Sequence, residues 1–113
     1  MTDVNTELES ILGGLSVKAV YASPSECGEL PSVSYYTLTE KGGFYSDNEE
    51  SITDVRVRID IWADEGYKCG MLAVELNALM RRYGFSRELS LDIPSDGGKI
   101  FHRCVQYVKS YVI

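Results

Sequence analysis

The stretch Ile52-Thr53-Asp54-Val55-Arg56-Val57-Arg58-Ile59-Asp60-Ile61-Trp62 decides the fold class. Val55, Val57, Ile59 and Ile61 alternate with Asp54, Arg56, Arg58 and Asp60. Side chains on a strand point to opposite faces in turn, so this run puts one face in a core and the other toward polar surroundings. The basic residues and the acid on the polar face are placed to pair with neighbouring strands. The apolar face needs cover, and the flanking sequence supplies it.

Toward the C-terminus, Asp64-Glu65-Gly66 breaks the strand and a helix is predicted over 67–83. Leu72, Leu76, Leu79, Met80 and Tyr83 fall on one face of it. Arg81 and Arg82 lie at its negative end, and Gly84 stands where a C-cap glycine belongs. Residues 85–93 read as a strand with Leu89, Leu91 and Ile93 alternating. Pro94-Ser95-Asp96-Gly97-Gly98 is a turn by composition, and 100–112, rich in Val and Tyr, is a long final strand. The last two strands form a hairpin.

Toward the N-terminus, residues 40–54 form an acidic connection. Glu40, Asp47, Glu49, Glu50 and Asp54 stand against Lys41 alone, a local charge of −4. The connection is either a long hairpin loop or the tip of an extended β-arm. Residues 44–51 are expected to be mobile or to project from the sheet, because like charges and missing apolar groups leave them nothing to pack. Residues 33–39 read as a strand interrupted by Gly42-Gly43. Residues 17–22 are a short β-prone run broken by Ser23-Pro24, and 25–29 are loop. Residues 3–15 read as an amphipathic helix on Val4, Leu8, Ile11, Leu12 and Leu15, capped by Thr2 or Asp3 and ended by Gly13-Gly14.

The expected fold is therefore a single α+β domain over 1–113. It has a mainly antiparallel sheet with two helices packed on one face, in the order α-β-β-β-α-β-β. Strand 52–62 should be internal and paired with 33–39. Leu72, Leu76, Leu79, Val57 and Ile59 should be buried.

Composition narrows the function. The net charge of −6 repels phosphate, which argues against a dedicated nucleic-acid reader. Residues 1–80 hold 14 acidic and 5 basic side chains, a net of −9, and residues 81–113 hold 3 and 6, a net of +3. This bipolar layout is compatible with head-to-tail self-association. Cys27, Cys69 and Cys104 are odd in number and lack a CxxC pair, so free thiols in a reducing compartment are expected. No apolar run approaches a membrane span, and the first residues lack the pattern of a signal peptide. The chain is expected to be made, and to stay, on the cytosolic side.

No motif points to catalysis, a cofactor or a metal. Gly97-Gly98-Lys99 fails as a phosphate loop, because Ile93 stands where its first glycine should be and Ile100 where Ser or Thr should follow. His102 and Cys104 share a strand face, but a Cys–His nucleophile pair needs a third group to orient the base. The carboxylates of 40–54 lack the glycine and glutamate of an EF-hand loop counted from Asp47. GxSxG, HExxH and GxGxxG are absent from the sequence. The 8 Tyr, 3 Phe and 1 Trp are many for so small a core. Some of Tyr35, Tyr36, Tyr45, Tyr107 and Tyr111 are expected at a surface that meets a partner, the alternative being half-exposed strand tyrosines.

Leu30-Pro31-Ser32-Val33-Ser34-Tyr35 resembles a strand of the small tail-completion and head–tail joining proteins of long-tailed phages and prophages. Ser46-Asp47-Asn48-Glu49-Glu50 is similar to the acidic connection that follows in that family, and Arg58-Ile59-Asp60-Ile61-Trp62 to its next strand. Leu79-Met80 with Gly84-Phe85 resembles the end of its helix, and His102-Arg103 the opening of its last strand. The resemblance covers about residues 30–112. It implies a non-enzymatic structural protein of the virion's head–tail junction, made in the host bacterial cytoplasm. Such proteins form a ring, commonly a hexamer, at the top of the tail tube, and the isolated subunit can be monomeric. The implied partners are further copies of the chain, the tail tube protein and the head connector protein. The genome passes through the lumen without specific binding, which a carboxylate lining would favour. Asp47, Glu49, Glu50, Tyr36, Tyr45, Arg81, Arg82 and Arg103 are the interface or lumen candidates. The alternative is a cytosolic protein-binding module with a Tyr-rich sheet face.

Overall fold

The computed structural model describes residues 4–17, 19–21, 29–46, 49–94 and 99–112, with only the backbone described at 19, 21, 43–46 and 49–51. Its elements are α1 (Val4–Leu12), β1 (Ala19–Tyr21), β2 (Ser32–Ser46), β3 (Glu49–Ala63), α2 (Gly66–Arg82), β4 (Ser86–Ile93) and β5 (Phe101–Val112). The fold is α+β in the expected order. The five strands form one sheet in the order β1-β2-β3-β5-β4. β1 runs parallel to β2, and every other neighbouring pair is antiparallel.

The alternation of residues 52–62 acts as expected. β3 is internal, between β2 and β5. Ile59 lies opposite Tyr35 on one side and Val105 on the other, and Val57 opposite Thr37 and Tyr107. Val55, Val57, Ile59 and Ile61 are fully buried. Both helices cover this face, α1 over β2 and α2 over β3 and β5. Leu8, Leu12, Leu72, Leu76 and Met80 meet the strand residues in one core, with Leu79 packed at its margin. Burying a side chain such as Leu76 stabilises the fold by about 1.5–3 kcal/mol.

α2 ends in a Schellman turn. The Phe85 amide donates to the Met80 carbonyl at 3.0 Å and the Gly84 amide to the Arg81 carbonyl at 3.1 Å. Gly84 takes φ of 89°, which a side chain resists, so the glycine is needed there. α1 is shorter than its apolar spacing suggests, yet Leu15 beyond its end is still buried. Its expected caps, Thr2 and Asp3, lie outside the described residues, as do positions 95–98 of the expected turn and Gly97-Gly98 of the glycine-lysine run.

One expectation is corrected. Gly42-Gly43 does not interrupt β2. Gly42 pairs with Thr53, and a register shift before Phe44 absorbs the irregularity, so β2 and β3 are 15 residues each. The acidic connection is accordingly paired strand along most of its length. β5 ends at Val112 opposite Ile52, and beyond that point β2 and β3 pair only with each other among the described residues. Tyr45 opposite Glu50 and Ser46 opposite Glu49 form a projecting two-stranded arm. A 15-residue strand spans roughly 50 Å at the usual rise, which matches the 54 × 25 × 20 Å extents of the molecule. The radius of gyration is 15.0 Å, against about 13 Å for a compact chain of this length.

Three of the five tyrosines considered for a partner surface turn toward the helices. Tyr35 and Tyr107 are buried on the helix-covered face, and Tyr111 is half-buried against it. Their hydroxyls are satisfied from the helices. Tyr35 donates to Glu9 at 2.8 Å, Tyr111 to Glu7 at 2.7 Å, and Tyr107 to Asn77 at 3.3 Å. A thin core can hold a tyrosine when the ring crosses it and the hydroxyl emerges beside a polar helix residue.

Candidate functional site

The helix-free face of the sheet carries the most interconnected polar group. Asp60 is almost fully buried there, at 1% exposure. Arg58, two residues earlier on the same face, donates from Nη2 to Asp60 Oδ1 at 2.9 Å and from Nε to Oδ2 at 3.1 Å. His102 Nε2 donates to Asp60 Oδ1 from the next strand at 2.6 Å. Its ring stacks on Trp62 with centroids 3.6 Å apart, and the Trp62 indole donates to Ser34 at 3.4 Å. The hydrogen bond to Asp60 raises the Arg58 pKa above its ordinary value. The Arg58 guanidinium lies 5.9 Å over the half-buried Tyr36 ring, so that candidate is engaged within the chain.

These contacts tie β3 to β5. His102 bonds Asp60, and no hydrogen bond joins it to Cys104 among the described residues. Cys104 is buried, and desolvation pushes its thiol pKa up, away from thiolate. Cys69 is likewise buried, donates to the Phe101 carbonyl at 3.3 Å, and is shifted the same way by desolvation. Among the described residues no group of three or more His, Cys, Asp or Glu could hold a metal ion. Among them no helix is long and apolar enough to cross a membrane.

β4 brings a different surface. A register shift between Arg87 and Leu89 sets its faces. Leu89 and Leu91 lie opposite Gln106 and Cys104 on the helix-free face, where they are 46% and 40% exposed. Arg87, Ser90 and Asp92 point to the helix side, opposite Tyr107, Val105 and Arg103. α2 packs mainly over β3 and β5, so its seam with β4 stays open. Three hollows follow this seam, of about 430, 180 and 290 Å³. Arg103 lines the first two, and Asn77 and Arg87 line the last two, so they form one trough.

Three arginines enter this trough. Arg103 donates from Nε to Ser90 Oγ at 3.0 Å, and its Nη1 lies 3.8 Å from Asp92. Arg81 and Arg87 are exposed, and neither forms an ion pair with a described residue. Glu88, between Arg87 and Leu89 in the chain, faces elsewhere, pairing with Arg56 at 3.2 Å and accepting from Gln106 at 3.2 Å. A separate apolar stripe runs along the outer face of α2, where Tyr67, Met71 and Val74 are 61%, 66% and 73% exposed.

The structure thus gathers Arg81 and Arg103, two of the sequence candidates, with Arg87, which sequence reasoning missed. Arg82 is exposed next to Arg81 but does not line the trough. The backbones of Tyr45, Glu49 and Glu50 lie on the arm, and Asp47 lies outside the described residues. The charge split at residue 81 was the available signal for the basic trough; the register of β4 was not visible in it. Neither the family models nor the curated proteins contain a match to this chain.

Proposed function

We propose that this chain is a structural protein of the head–tail junction of a long-tailed phage or prophage, assembling as a ring at the top of the tail tube. The observation that carries this reading is the β2–β3 arm. The acidic stretch that resembles the family's connection lies between paired strands that run on past the rest of the sheet. A projecting arm offers a contact to another molecule. The other resembling residues sit where they matter for the fold. Leu30–Tyr35 leads into β2, Arg58–Trp62 is the centre of β3, Gly84 caps α2, and His102 opens β5. The exposed stripe on α2 and the exposed leucines of β4 lie on opposite layers, as a head-to-tail ring of identical subunits requires.

The binding-module reading loses its main support, because Tyr35, Tyr107 and Tyr111 serve the core and its margin. Deleting the gene from the parent phage or prophage tests the proposal. Filled heads separated from tails are expected, with tails of abnormal length if the protein also ends tube growth. Normal infectious particles from the deletion strain would overturn it.

A further inference from the structure

We propose that the trough between α2 and β4 receives the acidic β2–β3 arm of a second copy of this chain. This deepens the ring reading and rests on it for the closure of the contact into a ring. It also assigns the carboxylates of the arm to the subunit interface instead of the lumen.

Charge complementarity carries the argument. Residues 44–51, the arm and its tip, carry three carboxylates, Asp47, Glu49 and Glu50, and no basic residue. The trough presents Arg81, Arg87 and Arg103 around the carbonyl-bearing side chain of Asn77 and the hydroxyl of Ser90. Among the described residues only Arg103 is ion-paired there, to Asp92, which is itself 78% exposed at one end. An arginine fork matches a carboxylate geometrically as well as electrically.

Topology excludes the chain's own arm as the occupant. The arm continues the direction of β2 and β3 beyond the end of β5, while the trough runs back along β4 from Ser86 toward Pro94. β4 is the edge strand, two places from β3 in the sheet. An arm leaving the molecule there meets the trough of another copy. Arm and trough are different surfaces, so the contact is heterologous, and repetition gives a ring or an open filament.

The full-length chain tests this by sedimentation equilibrium up to millimolar concentration at low ionic strength. Wild type is expected to self-associate, and added salt to weaken it. Arg81→Glu with Arg87→Glu should lower the association constant by about tenfold or more, and Glu49→Lys with Glu50→Lys should do the same. Mixing the two doubly substituted proteins should restore one-to-one pairs, because the cationic arm of one meets the anionic trough of the other. Circular dichroism checks that each variant is folded. A wild type that stays monomeric throughout, substituted proteins that associate as wild type does, or a mixture that fails to pair would each overturn the contact. Separate heads and tails from the deletion strain, together with charge reversals that leave association unchanged, would retain the joining role and remove only the arm–trough contact.

Discussion

Asp60 on β3 and His102 on β5 meet at 2.6 Å on the sheet face that the helices leave uncovered. Asp60 is nonetheless buried, because the side chains it holds also cover it. Arg58 grips both carboxylate oxygens, and His102 lies flat against Trp62. β3 is thereby fastened to β5 by side chains on one face and by the apolar core on the other.

Asp60→Ala should therefore destabilise the protein by about 2–4 kcal/mol, since it strands a guanidinium and an imidazole in a confined polar site. The figure sits below that for a fully buried pair because Arg58 is 30% exposed. Asp60→Asn, which keeps one acceptor, should lose less. Urea unfolding with both variants measures this, and wild-type midpoints for both would remove the cluster from any account of stability.

Gly84, just past the end of α2, and Gly70, inside it, should respond in opposite senses to alanine. Gly84 has φ of 89°, and a Cβ there would meet the Lys109 side chain at 3.4 Å. Gly84→Ala should cost about 1–2 kcal/mol. Gly70 lies inside the helix with nothing within 4 Å of a Cβ, so Gly70→Ala should stabilise by about 0.5–1 kcal/mol. Thermal unfolding of the pair decides it; a gain from Gly84→Ala would contradict the Schellman turn.

The features legible in the sequence are those that local periodicity encodes. The alternation through Val55, Val57, Ile59 and Ile61 placed β3 and its buried face, and the leucines of α2 placed its cover. Gly84 was legible because a helix end needs one residue of unusual conformation. Gly42-Gly43 misled because glycine is a poor strand former by itself, whereas pairing with β3 holds it in the ladder. The inward placement of three tyrosines was illegible for another reason. The acceptors for Tyr35, Tyr107 and Tyr111 lie 26, 30 and 104 residues away, and no local pattern reports them. The trough was hidden in the same way. Leu89, Leu91 and Ile93 show an apolar face without saying which way it turns, and the register shift beside Arg87 turns it away from the helices.

Tyr107 should make stability fall in alkali. Its ring is fully buried, and desolvation pushes its pKa up from 10.0 to about 12, with Arg87 opposing the shift. The folded state thus favours the neutral phenol more than the unfolded chain does. That preference is fully present below about pH 10 and is lost as pH rises to about 12, where the folded-state group also ionises. The loss attributable to Tyr107 is on the order of 2–3 kcal/mol. Tyr111, raised by burial and by its hydrogen bond to Glu7, adds to the decline in the same direction. Urea midpoints measured across this range, with phenolate absorbance followed in parallel, provide the check. Tyr107→Phe should lose about 1 kcal/mol at neutral pH, from the hydrogen bond to Asn77. It should then decline less steeply than wild type in alkali, because the ionising group is gone. An equally steep decline in both proteins would show that the buried Tyr107 hydroxyl does not couple folding to pH.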